Sequence, residues 1–122
     1  MPTILIIEDA QDIRFLLVHL LETAGYRVLE ADDGESGLRL WRQEQPDLVI
    51  TDLIMQGKDG LDVIREIRIA NGKARVIAMT GAGYRGPVSL LDEAGRLGAV
   101  ATIQKPFNLD HVLQLVKEMV TA

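Results

Sequence analysis

The sequence contains no cysteine, few aromatic residues and no long apolar run, and each absence excludes something. Without cysteine there is no disulfide, no thiolate metal site and no cysteine nucleophile, which fits a reducing compartment. Aromatic residues make up 4% of the chain, so the core has to be built from Leu, Ile, Val and Ala with a few Met. No apolar stretch approaches the roughly 20 residues that cross a bilayer. The opening Met1-Pro2-Thr3-Ile4 has no basic segment ahead of an apolar run, so no signal peptide is read. Basic residues are also short: 13 Lys and Arg against 18 Asp and Glu, a formal charge of −5. That balance lacks the clustered cations of an electrostatic nucleic-acid surface. A length of 122 residues is one domain's worth of chain, with a radius of gyration of about 14 Å. The expectation is a soluble, cytoplasmic, single domain over residues 1–122.

Short apolar runs alternate with longer periodic stretches. Ile4-Leu5-Ile6-Ile7 is the β-branched run of a strand covered on both faces. From Asp12 the period changes, and Ile13, Leu16, Leu17, Leu20 and Leu21 share a helical face that ends near Gly25. Arg27 to Ala31 reads as a second strand, and Asp32-Asp33-Gly34 turns into a helix through Leu38, Leu40 and Trp41 that stops before Pro46. Leu48-Val49-Ile50 is a third strand ending at Thr51-Asp52. A loop with Gly57, Asp59 and Gly60 then leads to a helix carrying Val63, Ile64 and Ile67. Val76 to Met79 is the fourth strand, followed by a Gly-rich loop from Thr80 to Gly86 and a helix around Val88 to Leu97. Val100 to Ile103 makes a short fifth strand, and the last helix runs from about Leu109 to Val120. This alternation predicts βαβ units, a mostly parallel sheet and an open doubly wound α/β fold, since five units are too few for an eight-stranded barrel.

In such a sheet the ligand site lies beyond the carboxyl ends of the strands. Those ends carry Glu8-Asp9, Asp52, Thr80 and Lys105. Like charges at about 4 Å in an effective dielectric near 20 repel by on the order of 4 kcal/mol. Either the carboxylates shift their pKa upward or a cation sits among them, and all-oxygen ligands with room for water suit Mg²⁺. A carboxylate can act as nucleophile and form an acyl phosphate, with Mg²⁺ and an ammonium neutralising the transferred group. Asp52, central and last on its strand, is the candidate nucleophile; Glu8 and Asp9 are metal residues; the Thr80 hydroxyl can donate to a phosphoryl oxygen.

Each residue has a plainer reading taken alone. Glu8-Asp9 can be a turn with a helix cap, Asp52 an Asx turn, Lys105 a solvated charge. Their joint occurrence at the strand ends favours function. His19 and His111 read as packing or surface residues, Trp41 as partial packing, and Arg65, Arg68 and Arg75 as a solvated basic face.

The set resembles the receiver domain of two-component response regulators over essentially the whole chain. The resemblance rests on Glu8-Asp9 with Arg14, Asp52-Leu53-Ile54-Met55 followed by Asp59-Gly60-Leu61, Met79-Thr80, Gly98-Ala99 and Lys105-Pro106-Phe107, in that order and spacing. It implies a flavodoxin-like (βα)5 fold with strand order 2-1-3-4-5. It implies that Asp52 accepts a phosphoryl group from a sensor histidine kinase or histidine phosphotransfer protein. Glu8, Asp9, Asp52 and the Ile54 backbone carbonyl would hold Mg²⁺, and Thr80 and Lys105 would bind the phosphoryl oxygens. A cis Lys105-Pro106 bond is implied, as is a population shift at the face of the fourth helix, fifth strand and fifth helix. That face would regulate a downstream effector protein or domain, or a phosphorylation-dependent homodimer. The chain would assist its own phosphorylation and dephosphorylation without turning over a diffusible substrate.

Four features depart from the family pattern. Gln56 stands where a proline is usual, and Thr102 where an aromatic switch residue is common. The stretch from Thr80 to Lys105 is longer than typical. Ile54 and Ala82 are apolar at the positions that tune acyl-phosphate lifetime, which implies slow intrinsic loss of phosphate. The other classes kept in view are a non-phosphorylated flavodoxin-like interaction module and a small nucleotide-binding enzyme using Gly81 to Gly86. That loop is a literal G-x-G-x-x-G, but it follows the fourth strand and runs into Pro87.

Overall fold

Parallel strands buried on both faces need continuous aliphatic runs, and the chain supplies them at the centre of its sheet. The computed structural model describes residues 1–55, 59–81 and 90–121. In chain order the elements are β1 (Thr3–Ile7), α1 (Gln11–Thr23), β2 (Arg27–Ala31), α2 (Gly34–Glu44), β3 (Leu48–Asp52), α3 (Gly60–Ala70), β4 (Val76–Thr80), α4 (Leu90–Leu97), β5 (Ala101–Gln104) and α5 (Leu109–Thr121). The sheet has the order β2-β1-β3-β4-β5 with every pairing parallel, the doubly wound topology expected. The winding reverses between β1 and β3, and the crevice at such a switch point is where open sheets bind ligands.

Alternation along each strand divides the core in two. Ile4, Ile6, Leu48, Ile50, Ile77 and Met79 face Leu17 and Leu21 of α1 and Val112 and Val116 of α5. Leu5, Ile7, Val49, Val76 and Ala78 face Leu38, Val63, Ile64, Ile67 and Ala94 of α2, α3 and α4. Each fully buried Leu or Ile contributes about 1.5–3 kcal/mol. Trp41 joins this second cluster at 5% exposure, so it is a core residue rather than the partial packing expected of it.

The strand boundaries moved slightly. Thr3 belongs to β1, paired with Arg27, and its N–H donates to Asp47 Oδ2 at 2.7 Å. β5 starts one residue later than the apolar run. Gly98, at φ 112°, ends α4 in a Schellman turn, with Gly98 N–H on Gly95 O at 3.1 Å and Ala99 N–H on Ala94 O at 2.9 Å. Val100 leaves that turn 43% exposed. Gly25, at φ 99°, closes α1 in the same way.

The edge at the strands' amino ends is densely tied. Gln45 Nε2 donates to Trp41 O and Arg42 O, both at 3.2 Å, Asp47 N–H donates to Thr3 O at 2.8 Å, and Arg68 Nη1 donates to Ala74 O at 2.8 Å. Arg75 Nη1 donates to Met119 O at the end of α5. Arg68 and Arg75 are therefore backbone staples, and of the three arginines read as a solvated face Arg65 alone is exposed.

The start of α3 fixes the end of β3. Asp59 caps the helix by accepting from Asp62 N–H at 2.9 Å. Gly60 N–H donates to Leu53 O at 3.1 Å, so the helix begins against the backbone that leaves β3. A Cβ on Gly60 would overlap the Asp52 carbonyl oxygen and lie 2.6 Å from Leu53 Cα. Backbone atoms cannot yield as a flexible side chain does, so Gly60→Ala should lower stability by about 1–3 kcal/mol. Gly95, exposed on α4 with nothing near its Cβ position, should instead gain about 0.5–1 kcal/mol as Gly95→Ala. Urea denaturation midpoints of the two variants against the parent check both signs.

Candidate functional site

The parallel register sets Ile7 beside Thr51, Asp52 beside Met79 and Thr80 beside Gln104, so the residues that follow or end these strands meet at one edge. Glu8, the first residue beyond β1, is completely buried; its N–H donates to Ala31 O at 3.0 Å. Asp52, the last residue of β3, is 6% exposed. Lys105, the first residue beyond β5, donates its backbone N–H to Thr80 O at 2.8 Å. The Lys105-Pro106 bond is cis, as expected.

The Lys105 ammonium occupies the centre of the group. Its Nζ lies 3.0 Å and 3.2 Å from the two Glu8 oxygens and 3.2 Å from Asp52 Oδ2. Asp52 Oδ1 accepts from Ile54 N–H at 3.4 Å, and the Ile54 side chain is half exposed. Asp9 is exposed at the rim, and one carboxylate oxygen from each of Glu8, Asp9 and Asp52 falls within a 4.8 Å group. Among the described residues, Thr80 Oγ1 is the buried side-chain polar atom with no hydrogen-bond partner.

Electrostatics follow from burial and crowding. Desolvation, reinforced by the neighbouring Asp52 carboxylate, pushes the Glu8 carboxyl from 4.5 up to about 7, against the opposing pull of Lys105. Burial alone would lower the Lys105 ammonium; its contacts with Glu8 and Asp52 outweigh that and hold it above its usual value. Both routes foreseen for relieving crowded carboxylates are thus in use: a raised pKa and a cation among them. The donor set also fits a hard divalent ion, since three carboxylates supply oxygens in one place.

Every residue singled out at the strand ends is brought to this edge. Gln56, Gly57 and Ala82, and all of the Gly81 to Gly86 motif beyond Gly81, lie outside the described residues. His19 and His111 are exposed, and Thr102 is exposed on β5. Sequence reasoning singled out Arg14 and Asp59-Gly60 but missed the contacts by which they support the site. Arg14 Nη1 donates to Glu8 O at 2.9 Å and its Nε to Glu30 Oε1 at 3.0 Å. Gly60 abuts the Asp52 carbonyl. The Asp59-Gly60 pair could have signalled that close approach; nothing in the sequence pairs Arg14 with Glu30.

A folded state that keeps a proton the unfolded chain releases loses stability as pH rises. In chelator, stability should therefore decline between about pH 4.5 and about pH 7 through Glu8. The slope cannot exceed about 1.4 kcal/mol per pH unit, the limit for one proton. Glu8→Gln should flatten that segment of the curve; denaturant melts across the window, compared between the two proteins, check it.

Residues 4–117 match the family described as "Response regulator receiver domain". The chain is 33% identical over 115 residues to sporulation initiation phosphotransferase F of Bacillus subtilis, covering 94% of this chain and 90% of that protein. It is 32% identical over 116 residues to the chemotaxis protein CheY of the same organism, covering 94% of each. A response regulator receiver domain protein from Clostridium thermocellum superposes with a TM-score of 0.88 at 30% identity, over 99% of this chain and 95% of that one. NtrX from Brucella abortus gives 0.90 at 30% identity over 98% of this chain but 27% of its own. The match spans nearly the whole chain and its doubly wound sheet, and the chain belongs to the response regulator receiver domains.

Proposed function

We propose that the chain is a phosphoacceptor in a two-component relay, with Asp52 as the residue modified. The observation that carries this is the triangle of Lys105 Nζ with Glu8 and Asp52, set beside a buried, unpartnered Thr80 hydroxyl. A nucleophilic carboxylate, an adjacent ammonium and a hydroxyl donor are the parts that phosphoryl transfer to a carboxylate needs.

An Asp52 oxygen attacks phosphorus on a phosphohistidine of a sensor histidine kinase or histidine phosphotransfer protein. The new O–P bond forms as the P–N bond breaks, and the imidazole keeps the electron pair and takes a proton. The Lys105 ammonium trades its Asp52 contact for a phosphoryl oxygen, and Thr80 Oγ1 donates to another. Glu8, Asp9, Asp52 and the Ile54 carbonyl would hold Mg²⁺, which supplies the remaining positive charge for the phosphoryl oxygens. The role is regulatory, since the product is the modified chain itself. Signal leaves by protein contacts of the α4-β5-α5 face, to an effector protein or domain or a second copy. With Thr102 exposed on β5, that change proceeds without a swinging ring. A cytoplasmic location follows from the partners proposed; among the described residues no helix is long and apolar enough to cross a membrane.

Incubation with acetyl phosphate and Mg²⁺ should add one hydroxylamine-sensitive phosphoryl group by intact-mass measurement, absent in Asp52→Asn. Thr80→Ala and Lys105→Ala should keep the adduct but form it more slowly. A folded parent with no adduct would favour the non-phosphorylated interaction module. Mg²⁺ should also stabilise the parent by mass action, about 2.7 kcal/mol at a hundred times its dissociation constant, and stabilise Asp52→Asn less.

A further inference from the structure

The two peptides that flank Glu8 are held from outside the acidic group. Glu8 N–H is fixed on Ala31 O of β2 at 3.0 Å, and Glu8 O accepts from Arg14 Nη1 at 2.9 Å. The guanidinium is itself held in place. Its Nε donates to Glu30 Oε1 at 3.0 Å, its Cζ lies 5.8 Å from the Phe15 ring centroid, and its side chain is 13% exposed. Arg14 sits one turn into α1, where its own N–H bonds Ala10 O at 2.9 Å. The first turn of α1, the end of β1 and the edge strand β2 are thus joined through one planar fork.

The geometry points to Arg14 as a positioning residue for the divalent-cation site: it fixes the Glu8–Asp9 peptide so that two successive carboxylates are presented together, while Glu30 cancels its charge. The inference rests on the Mg²⁺ reading above and deepens it. Outer partners that orient metal-binding groups are worth 10- to 100-fold in affinity at many sites. A guanidinium suits the task because its fork serves two acceptors at once, which an ammonium on a flexible stem does poorly.

Charge and positioning make opposite predictions. Removing a cation near an acidic site should tighten Mg²⁺ binding if only the field matters. Removing the clamp should weaken it. Titration of MgCl₂ into the metal-free protein by calorimetry, at one fixed pH, separates them. Arg14→Gln should bind about 10-fold more weakly than the parent. Arg14→Lys, which keeps the charge without the fork, should fall between. Glu30→Gln, which leaves the Glu8 carbonyl bond in place, should weaken binding less than Arg14→Gln. Chelator melts establish that each variant is folded, and should Arg14→Gln not fold, Arg14→Lys against Glu30→Gln decides. Equal or tighter binding by Arg14→Gln, or by Arg14→Lys where it alone folds, overturns the inference and leaves the Mg²⁺ reading standing. A parent that takes up no Mg²⁺ overturns both.

Discussion

A carboxylate with no access to water must either keep its proton or share its charge with a cation. In this chain Lys105 meets that requirement for Glu8 and Asp52 together, at 3.0–3.2 Å. The lysine comes from beyond the fifth strand, the carboxylates from the ends of the first and third, so the contact spans 97 residues of sequence. It requires a parallel sheet whose strands end in register, and the pairing of Asp52 with Met79 and of Thr80 with Gln104 provides it. It also requires that β3 stop at one place, which the backbone contact of Gly60 enforces. A single ion contact therefore constrains topology, register and one glycine.

The arrangement is a compromise with a use. Replacing the buried pair by apolar side chains would serve stability as well or better. Keeping it leaves one ammonium shared between two carboxylates, with burial raising the Glu8 carboxyl to about 7. Such a group is easily rearranged by a ligand that brings negative oxygens or positive charge.

Much of this was legible in the sequence because it depended on period and position. Buried parallel strands leave unbroken runs such as Ile4 to Ile7 and Val76 to Met79, and helices leave a 3.6-residue pattern. Strand-end chemistry then follows from topology, since the residue after each run must lie at the same edge. What was hidden were contacts with no periodic signature. Trp41 looked peripheral because one aromatic near a helix end does not reveal which face it shares with Leu38. Arg68 and Arg75 looked like solvated charges because their partners are carbonyl oxygens, which every residue has. Arg14 and Glu30 lie on separate elements, and only the crossover from α1 to β2 brings them together. The late start of β5 depended on a turn at Gly98 whose hand is a backbone matter.

The two rims of the sheet have been built to different standards. At the amino ends of the strands, Schellman turns at Gly25 and Gly98, the Gln45 amide, Asp47 on Thr3 and the Arg68 and Arg75 staples consume the loose carbonyls and amides. At the carboxyl ends stand an unpartnered hydroxyl, a shared ammonium and a proton held near neutrality. Among the described residues, the side-chain ties to backbone thus gather at one rim and the crowded titratable groups at the other. A substitution that loosens backbone support and one that alters charge therefore act on opposite edges of the same sheet.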